Sequence, residues 1–336
     1  MHRGSARAAS HSRGGPSRAP RAHRRYLRDV AGERSEQPRL RVRVLGSAAG
    51  GGLPQWNCGC DHCVRARRGD AAVPARTQPS IAVSADGARW SIVNASPDVR
   101  EQMARFPGLH PRPGTRDVPL DTIVVTNPDI DHVLGLLVLR ESLPYRIVST
   151  PWVRDVVLEH NAVFRILEPA WGITKLDQPV RLDRDGHLEA RLFPVPGKVP
   201  TWASKLASNA PGATCAVRIT DLRSGRRLVY APGVAKLDAG TQAELEAAAC
   251  AFVDGTFFSA DELSRVRPGA PDAQAMGHAP IAGAGGTLAA LAELRCRKLY
   301  IHMNNTNPVL DAESEAAARV RRTGVEIAMD GMELAL

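Results

Sequence analysis

The chain has 336 residues, 43% of them apolar but only 4% aromatic, and a formal charge of +9. That apolar share supports a substantial core built from Val, Leu, Ile and Ala, and no apolar run approaches the roughly 20 residues that span a bilayer. Residues 1–38 hold nine Arg against three acids, which leaves only +3 for everything after them. A nucleic-acid-binding domain carries its charge on the folded face, so this distribution argues against one.

Residues 1–38 are rich in Arg, Ser, Gly, Pro and Ala. They carry no apolar periodicity and are expected to form a disordered basic tail. One domain is expected over 39–336. It opens with the alternation Arg41-Val42-Arg43-Val44-Leu45, a half-buried strand, followed by the small-residue loop Gly46 to Gly52. Further strands are expected at Ser80–Ser84, Trp90–Asn94 and Asp121–Thr126. The last of these runs into a polar loop and then a helix from His132 to Glu141. The second half predicts helices at Val153–Leu167, Thr241–Ala249, Gly286–Leu294 and Asp311–Arg322. Strands are expected there at Glu189–Pro194, Cys215–Thr220, Arg227–Tyr230, Ala251–Asp254, Lys298–Met303 and, last, Val325–Met329. Strands alternating with helices in both halves suit two packed sheets flanked by helices.

Three of the six Cys crowd into Cys58-Gly59-Cys60-Asp61-His62-Cys63. Thiolate sulfur suits Zn²⁺, and a structural site takes four ligands. The fourth is open among distant His, Asp and Asn residues, with Asn305 one candidate. Cys215, Cys250 and Cys296 lie in or beside predicted strands and read as small buried hydrophobes. Few Cys in a long chain fit a reducing compartment, and a cytoplasmic location is expected.

The loop Thr126-Asn127-Pro128-Asp129-Ile130-Asp131-His132 follows a strand and opens a helix. Asp131 and His132 offer one oxygen and one nitrogen to a metal. Alone this reads equally as a helix start, since Asp is a common N-cap. Asp254 and His302 sit near the ends of two other strands, and His278 lies in a glycine-bounded turn. Such ends are where active-site loops gather on a rigid scaffold.

These residues carry a family resemblance. Asn127 to His132 fits the His-x-His-x-Asp-His loop of the metallo-β-lactamase superfamily, with both leading His replaced by Asn127 and Asp129. Several long stretches resemble the pyrroloquinoline quinone (PQQ) biosynthesis protein B family. They are Val44–Cys63, Arg76–Gly87, Asn94–Arg100, Thr126–Glu141, Phe252–Leu263, Met276–His278 and His302–Pro308. The resemblance runs from about Leu40 to the last residue, and the basic tail has no counterpart in it. It implies an α/β, four-layer αββα sandwich of two mixed sheets flanked by helices. It implies an active-site metal at Asp131, His132, Asp254 and His302, and a catalytic role for His278. The first metal position of the superfamily is expected to be degenerate, because Asn127 and Asp129 replace its His and Pro196-Gly197-Lys198 offers none.

For the reaction, the resemblance implies hydroxylation of the tyrosine ring in a PQQ precursor derived from a Glu-Tyr-containing peptide. Fe²⁺ and O₂ would serve as active-site metal and co-substrate, and Zn²⁺ as the structural metal. Arg100 and Lys198 are candidates to hold substrate carboxylates. Other PQQ biosynthesis proteins are the expected partners, without nucleic acid or membrane insertion, and a homodimer stays open. Two alternatives stand beside this. One is a soluble carrier or accessory in transport of PQQ or its precursor toward the periplasm. The other is a metal-dependent hydrolase, which the missing His argue against.

Overall fold

The computed structural model describes residues 39–336. The segment 1–38, with the disorder expected of it, lies outside the described residues. Fourteen strands and seven α-helices follow one another among the described residues. In chain order they are β1 (Arg41–Gly46), α1 (Asp61–Arg67), β2 (Ser80–Ser84), β3 (Trp90–Val93), α2 (Val99–Ala104), β4 (Leu120–Val124) and α3 (Ile130–Val138). Next come β5 (Arg146–Ser149), α4 (Pro151–His160), β6 (Trp171–Ile173), β7 (Val180–Arg181), β8 (Leu188–Pro194), β9 (Cys215–Asp221) and β10 (Arg227–Ala231). The chain closes with α5 (Ala239–Glu246), β11 (Cys250–Asp254), α6 (Leu288–Glu293), β12 (Arg297–Ile301), α7 (Glu315–Arg322), β13 (Glu326–Ile327) and β14 (Glu333–Ala335).

The strands form two seven-stranded sheets, ordered β14-β1-β2-β3-β4-β5-β6 and β13-β12-β11-β10-β9-β8-β7. Both are mixed: β1–β2 and β2–β3 are antiparallel and β3–β4 parallel, while β9–β10 is antiparallel and β10–β11 parallel. Between the sheets, Val42, Val44, Ile81, Val83, Val93 and Val124 meet Leu192, Val217, Ile219, Leu228, Phe252 and Leu299 in one core. A second core lies under α3 and α4 and includes Ile92, Ile123, Leu136, Ile147, Val153 and Val157. A third lies under α5, α6 and α7 and includes Val229, Val253, Leu245, Leu291 and Val320. Each fully buried aliphatic side chain contributes about 1.5–3 kcal/mol. The layers are therefore helix, sheet, sheet, helix, the αββα sandwich that the sequence led us to expect.

Two sequence expectations need correction. The helix expected over Val153–Leu167 ends at His160, and a 3₁₀ helix covers Ala162–Ala170. Asn161 breaks it with extended backbone, φ −138° and ψ 96°. Phe164 and Leu167 stay buried there because the three-residue turn of a 3₁₀ helix repeats their spacing. The strand expected at Val325–Met329 shrinks to β13, and the last strand is β14, paired antiparallel with β1.

The strand ends are stitched together where the two sheets meet. The Ala49 N–H donates to Met303 O at 2.8 Å, Met303 N–H to Ser47 O at 3.1 Å and Cys215 N–H to Thr126 O at 3.0 Å. Asp330 pins the same corner. Its Oδ1 accepts from Ser47 N–H and hydroxyl at 2.9 and 2.7 Å, and its Oδ2 from Thr77 N–H and hydroxyl at 2.7 Å each.

Candidate metal centre

The loop from β4 into α3 presents Asp131 and His132. Asp129 occupies the N-cap position, but its side chain makes no cap hydrogen bond. Asn127 does the local structural work instead, its Oδ1 accepting from Asp129 N–H at 2.9 Å. Asn127 and Asp129 thus build a turn and leave the Asp129 carboxylate without a cap hydrogen bond. Burial and the neighbouring Asp131 push the Asp129 carboxyl up to about 7.

Helix α3 reaches its place through Gly135. A Cβ there would lie 2.2 Å from Ser96 O and 2.7 Å from Ala95 O. That close approach lets Gly135 N–H donate to Ala95 O at 2.9 Å and Ala95 N–H to His132 O at 2.8 Å. The first turn of α3 is locked against the segment after β3.

The second sheet supplies the rest. Asp254 is the last residue of β11, and His302 follows β12 with φ 63°. A left-handed backbone is unusual outside Gly and Asn, and it concentrates at functional sites. Asn94, just after β3 in the first sheet, has φ 62°.

Asp131 Oδ2 lies 3.2 Å from His302 Nε2 and 3.8 Å from His132 Nε2. One ligating atom from each of these three residues falls within 4.8 Å of the others. His132 is 2% exposed, and its Nε2 has no hydrogen-bond partner. Asp254, expected among the ligands, has both oxygens engaged. Oδ1 accepts from Thr256 N–H at 2.9 Å and hydroxyl at 2.6 Å, and Oδ2 from Val234 N–H at 2.8 Å and His278 Nδ1 at 2.7 Å. It still clusters with His278 and His302, whose rings stack at 5.4 Å between centroids.

Electrostatics follow this geometry. Burial opposes a charge on Asp131, but His132 and His302 outweigh it and hold the carboxyl far below its ordinary range. Burial likewise opposes the Asp254 charge, and His278 overcomes it. Burial lowers His132 to about 4, so it is a neutral imidazole at neutral pH. A buried neutral nitrogen with no partner, beside an ionised carboxylate and a second imidazole, is a donor set suited to a divalent cation.

Lys198 packs against the turn that carries His278. A Cβ on Gly277 would come within 2.9 Å of the Lys198 Cβ, and its Nζ donates to Ala275 O at 2.9 Å. Arg100 lies on the exposed side of α2.

The thiol cluster forms a separate position. Cys58, Cys60 and Cys63 converge within 4.8 Å, with Cys63 fully buried. The Asn305 amide lies 3.3 Å from Cys63 Sγ and 3.5 Å from Cys60 Sγ. Burial pushes Cys60 up to about 12, while hydrogen bonds from Cys60, Cys63 and Asn305 bring Cys58 below its usual value against its own burial. Three converging sulfurs, with an amide that can turn its oxygen inward, suit a Zn²⁺ ion, which takes such sulfurs as thiolates. His62 Nδ1 faces the Asn305 backbone carbonyl at 3.2 Å, and His62 is not part of the convergent group of three sulfurs. Cys215 and Cys250 are buried, and burial pushes each thiol up to about 12, as expected of inert core residues.

Sequence reading missed Thr126, Thr256 and Asn94, which stand behind the ligands. Threonine at a strand end is ordinary β-sheet composition, and only its partners reveal the role.

Comparison with known proteins agrees with this architecture. A profile of the β-lactamase superfamily domain matches residues 89–303. The chain is 43% identical to coenzyme PQQ synthesis protein B of Methylobacterium nodulans over 88% of its own length and all of the relative's. It is 44% identical to the same protein of Methylobacterium sp. strain 4-46, again over 88% and 100%. The crystal structure of Zn²⁺-bound PqqB from Methylobacterium extorquens superposes with TM-score 0.83 and 39% identity, covering 88% of this chain and all of the other. A diphosphatase of the PhnP family superposes with TM-score 0.62 at 19% identity over 89% and 97%, a likeness of fold alone.

Fold and site therefore define a metallo-β-lactamase-fold protein. Within that class the chain belongs to the coenzyme PQQ synthesis protein B family. No helix among the described residues is long and apolar enough to cross a membrane.

Proposed function

We propose that this protein acts in PQQ biosynthesis as an iron-dependent hydroxylase of the tyrosine ring in a precursor derived from a Glu-Tyr-containing peptide. The observation that carries the reading is the convergence of two imidazoles and one carboxylate, His132, His302 and Asp131, on one point. Two His and one carboxylate on one face of a metal is the ligand set of non-haem Fe(II) oxygenases. The degenerate first position, Asn127 and Asp129, supports one metal here rather than the pair that hydrolases of this fold use to activate water.

Fe²⁺ bound there would supply the reaction of O₂ with the ring. In the overall reaction a ring C–H becomes C–OH, and a two-electron reductant in solution converts the second oxygen atom to water. The chain's own residues bind and orient. Asp131, His132 and His302 would hold the metal. Asp254 fixes His278 through Nδ1, which leaves Nε2 to take or give a proton. Lys198 offers its ammonium to a substrate carboxylate, and Arg100 is a second cation for the same purpose. Cys58, Cys60, Cys63 and Asn305 would hold Zn²⁺, which would tie down the turn that follows His302.

The test is incubation of anaerobically purified, Fe²⁺-loaded protein with O₂, a reductant and a Glu-Tyr peptide, followed by mass spectrometry. Gain of one oxygen atom on the tyrosine, absent in His132→Ala, is the expected result. An unchanged peptide that nevertheless binds tightly would move the assignment to a carrier. A cleaved peptide would move it to a hydrolase.

A further inference from the structure

We infer that Thr256 is a positioning residue. It fixes the proton of His302 on Nδ1 and so keeps Nε2 as a bare lone pair facing the metal position. The inference rests on the metal-centre reading above, and a chain of hydrogen bonds carries it. The Thr256 hydroxyl lies 2.6 Å from Asp254 Oδ1 and 2.8 Å from His302 Nδ1. Asp254 is fully buried, and each of its oxygens already accepts from a backbone N–H, Oδ1 from Thr256 at 2.9 Å and Oδ2 from Val234 at 2.8 Å, so Oδ1 acts as an acceptor toward the hydroxyl as well. A hydroxyl has one proton. That proton goes to Asp254 at the shortest contact; His278 Nδ1, 3.1 Å from the hydroxyl, has Asp254 Oδ2 as its nearer partner at 2.7 Å, and the 2.8 Å contact to His302 is made only if His302 Nδ1–H donates to the Thr256 oxygen.

A consequence follows at the other ring nitrogen. His302 Nε2 lies 3.2 Å from Asp131 Oδ2. With the neutral ring's proton held on Nδ1, two acceptors face each other, and a cation belongs between them. Thr256 thus turns a hydrogen-bonding imidazole into a ligand. Outer partners that set a tautomer raise metal affinity in the same way.

The first sheet repeats the arrangement more loosely. Asn94 Oδ1 accepts from Thr126 N–H at 3.0 Å, which identifies it as the amide oxygen, and from the Thr126 hydroxyl at 3.1 Å. The Thr126 oxygen is 3.5 Å from His132 Nδ1. The contact is long, so Thr126 is expected to matter less.

The test is a Co²⁺ titration of the full chain in the wild type and in Thr256→Val, Thr256→Ser and Thr126→Val. Thiolate-bound Co²⁺ absorbs intensely through sulfur-to-metal charge transfer, and a nitrogen–oxygen site does not, so the two positions are read separately. Valine keeps the shape and the backbone donor of threonine. Thr256→Val should weaken the nitrogen–oxygen site about 10–100-fold and leave the thiolate site unchanged. Thr256→Ser should restore the site, and Thr126→Val should have the smaller effect. Nitrogen-15 histidine spectra of metal-free protein in mildly alkaline buffer should show His302 protonated on Nδ1 in the wild type and not in Thr256→Val. Wild-type affinity in Thr256→Val, or an Nε2–H tautomer in the wild type, overturns the inference. A wild type that takes up Co²⁺ only at the thiolates defeats the metal reading instead, and the tautomer spectra then decide the role of Thr256 on their own.

Discussion

Asp131 and His302 stand 171 residues apart in the chain, and Asp131 Oδ2 meets His302 Nε2 at 3.2 Å. Asp131 rides on α3 over the first sheet and His302 ends a strand of the second. The metal position therefore exists only while the two sheets keep their places.

Removing that carboxylate separates the two metal positions. Asp131→Asn should lower total metal from two equivalents to one, with the remaining ion held by Cys58, Cys60 and Cys63. Elemental analysis of anaerobically purified protein measures this. His132→Ala combined with His302→Ala should give the same single equivalent. Two equivalents retained in both variants would mean that the second ion sits elsewhere.

Gly135→Ala tests how α3 is seated. A methyl group would drive into Ser96 O and Ala95 O, and backbone cannot yield as a flexible side chain would. The variant should lose on the order of 2–3 kcal/mol of stability, the usual cost of overpacking. His132 should move with its helix, weakening the nitrogen–oxygen site even in the fraction that folds. Denaturant unfolding and the Co²⁺ titration read the two effects separately.

Cys63 is the fully buried member of the thiol cluster. Cys63→Ser replaces a zinc-preferring thiolate by a hydroxyl and should abolish metal at that position, since metal binding there adds directly to folding free energy. Tm should fall by on the order of 5 °C or more. The diagnostic sign is that a chelator lowers Tm by less in the variant than in the wild type, since only the nitrogen–oxygen site is left to strip.

Glu262 gives a pH signature. Its Oε2 accepts from Phe258 N–H at 2.6 Å and its Oε1 from the Thr306 hydroxyl at 2.6 Å. Burial raises its carboxyl from the usual 4.5 to about 7. The folded state therefore holds this proton more tightly than the unfolded state. The stabilisation is complete below pH 4.5 and is lost as pH rises through 7. Wild type should lose on the order of 3 kcal/mol relative to Glu262→Gln across that window. Urea unfolding at several pH values checks it, and a constant difference between the two proteins would refute the linkage.

Sequence could reveal Asp131, His132, Asp254, His278 and His302 because each follows an apolar run or stands beside glycine, and such runs mark strand ends. The long central strands were legible for the same reason. The edge strands β6, β7 and β14 have only two or three residues each, too few for alternation to register. Gly135 and Thr256 were hidden for a different reason. Glycine inside a helix and threonine after a strand are common, and their meaning lies in atoms from distant segments, Ser96 O for one and Asp254 Oδ1 for the other.

The turn from His302 to Asn307 joins the two metal positions. His302 faces Asp131, and Asn305, three residues later, faces the thiols. Further on, Asp330 ties down the corner at Ser47 and Thr77. During synthesis, Cys58, Cys60, Cys63, Asp131 and His132 emerge long before these partners. A nascent chain would hold its early ligands incomplete until His302 and Asn305 leave the ribosome. Loading of both metals should then be a single late event, and a chain cut short before His302 would be born without either site.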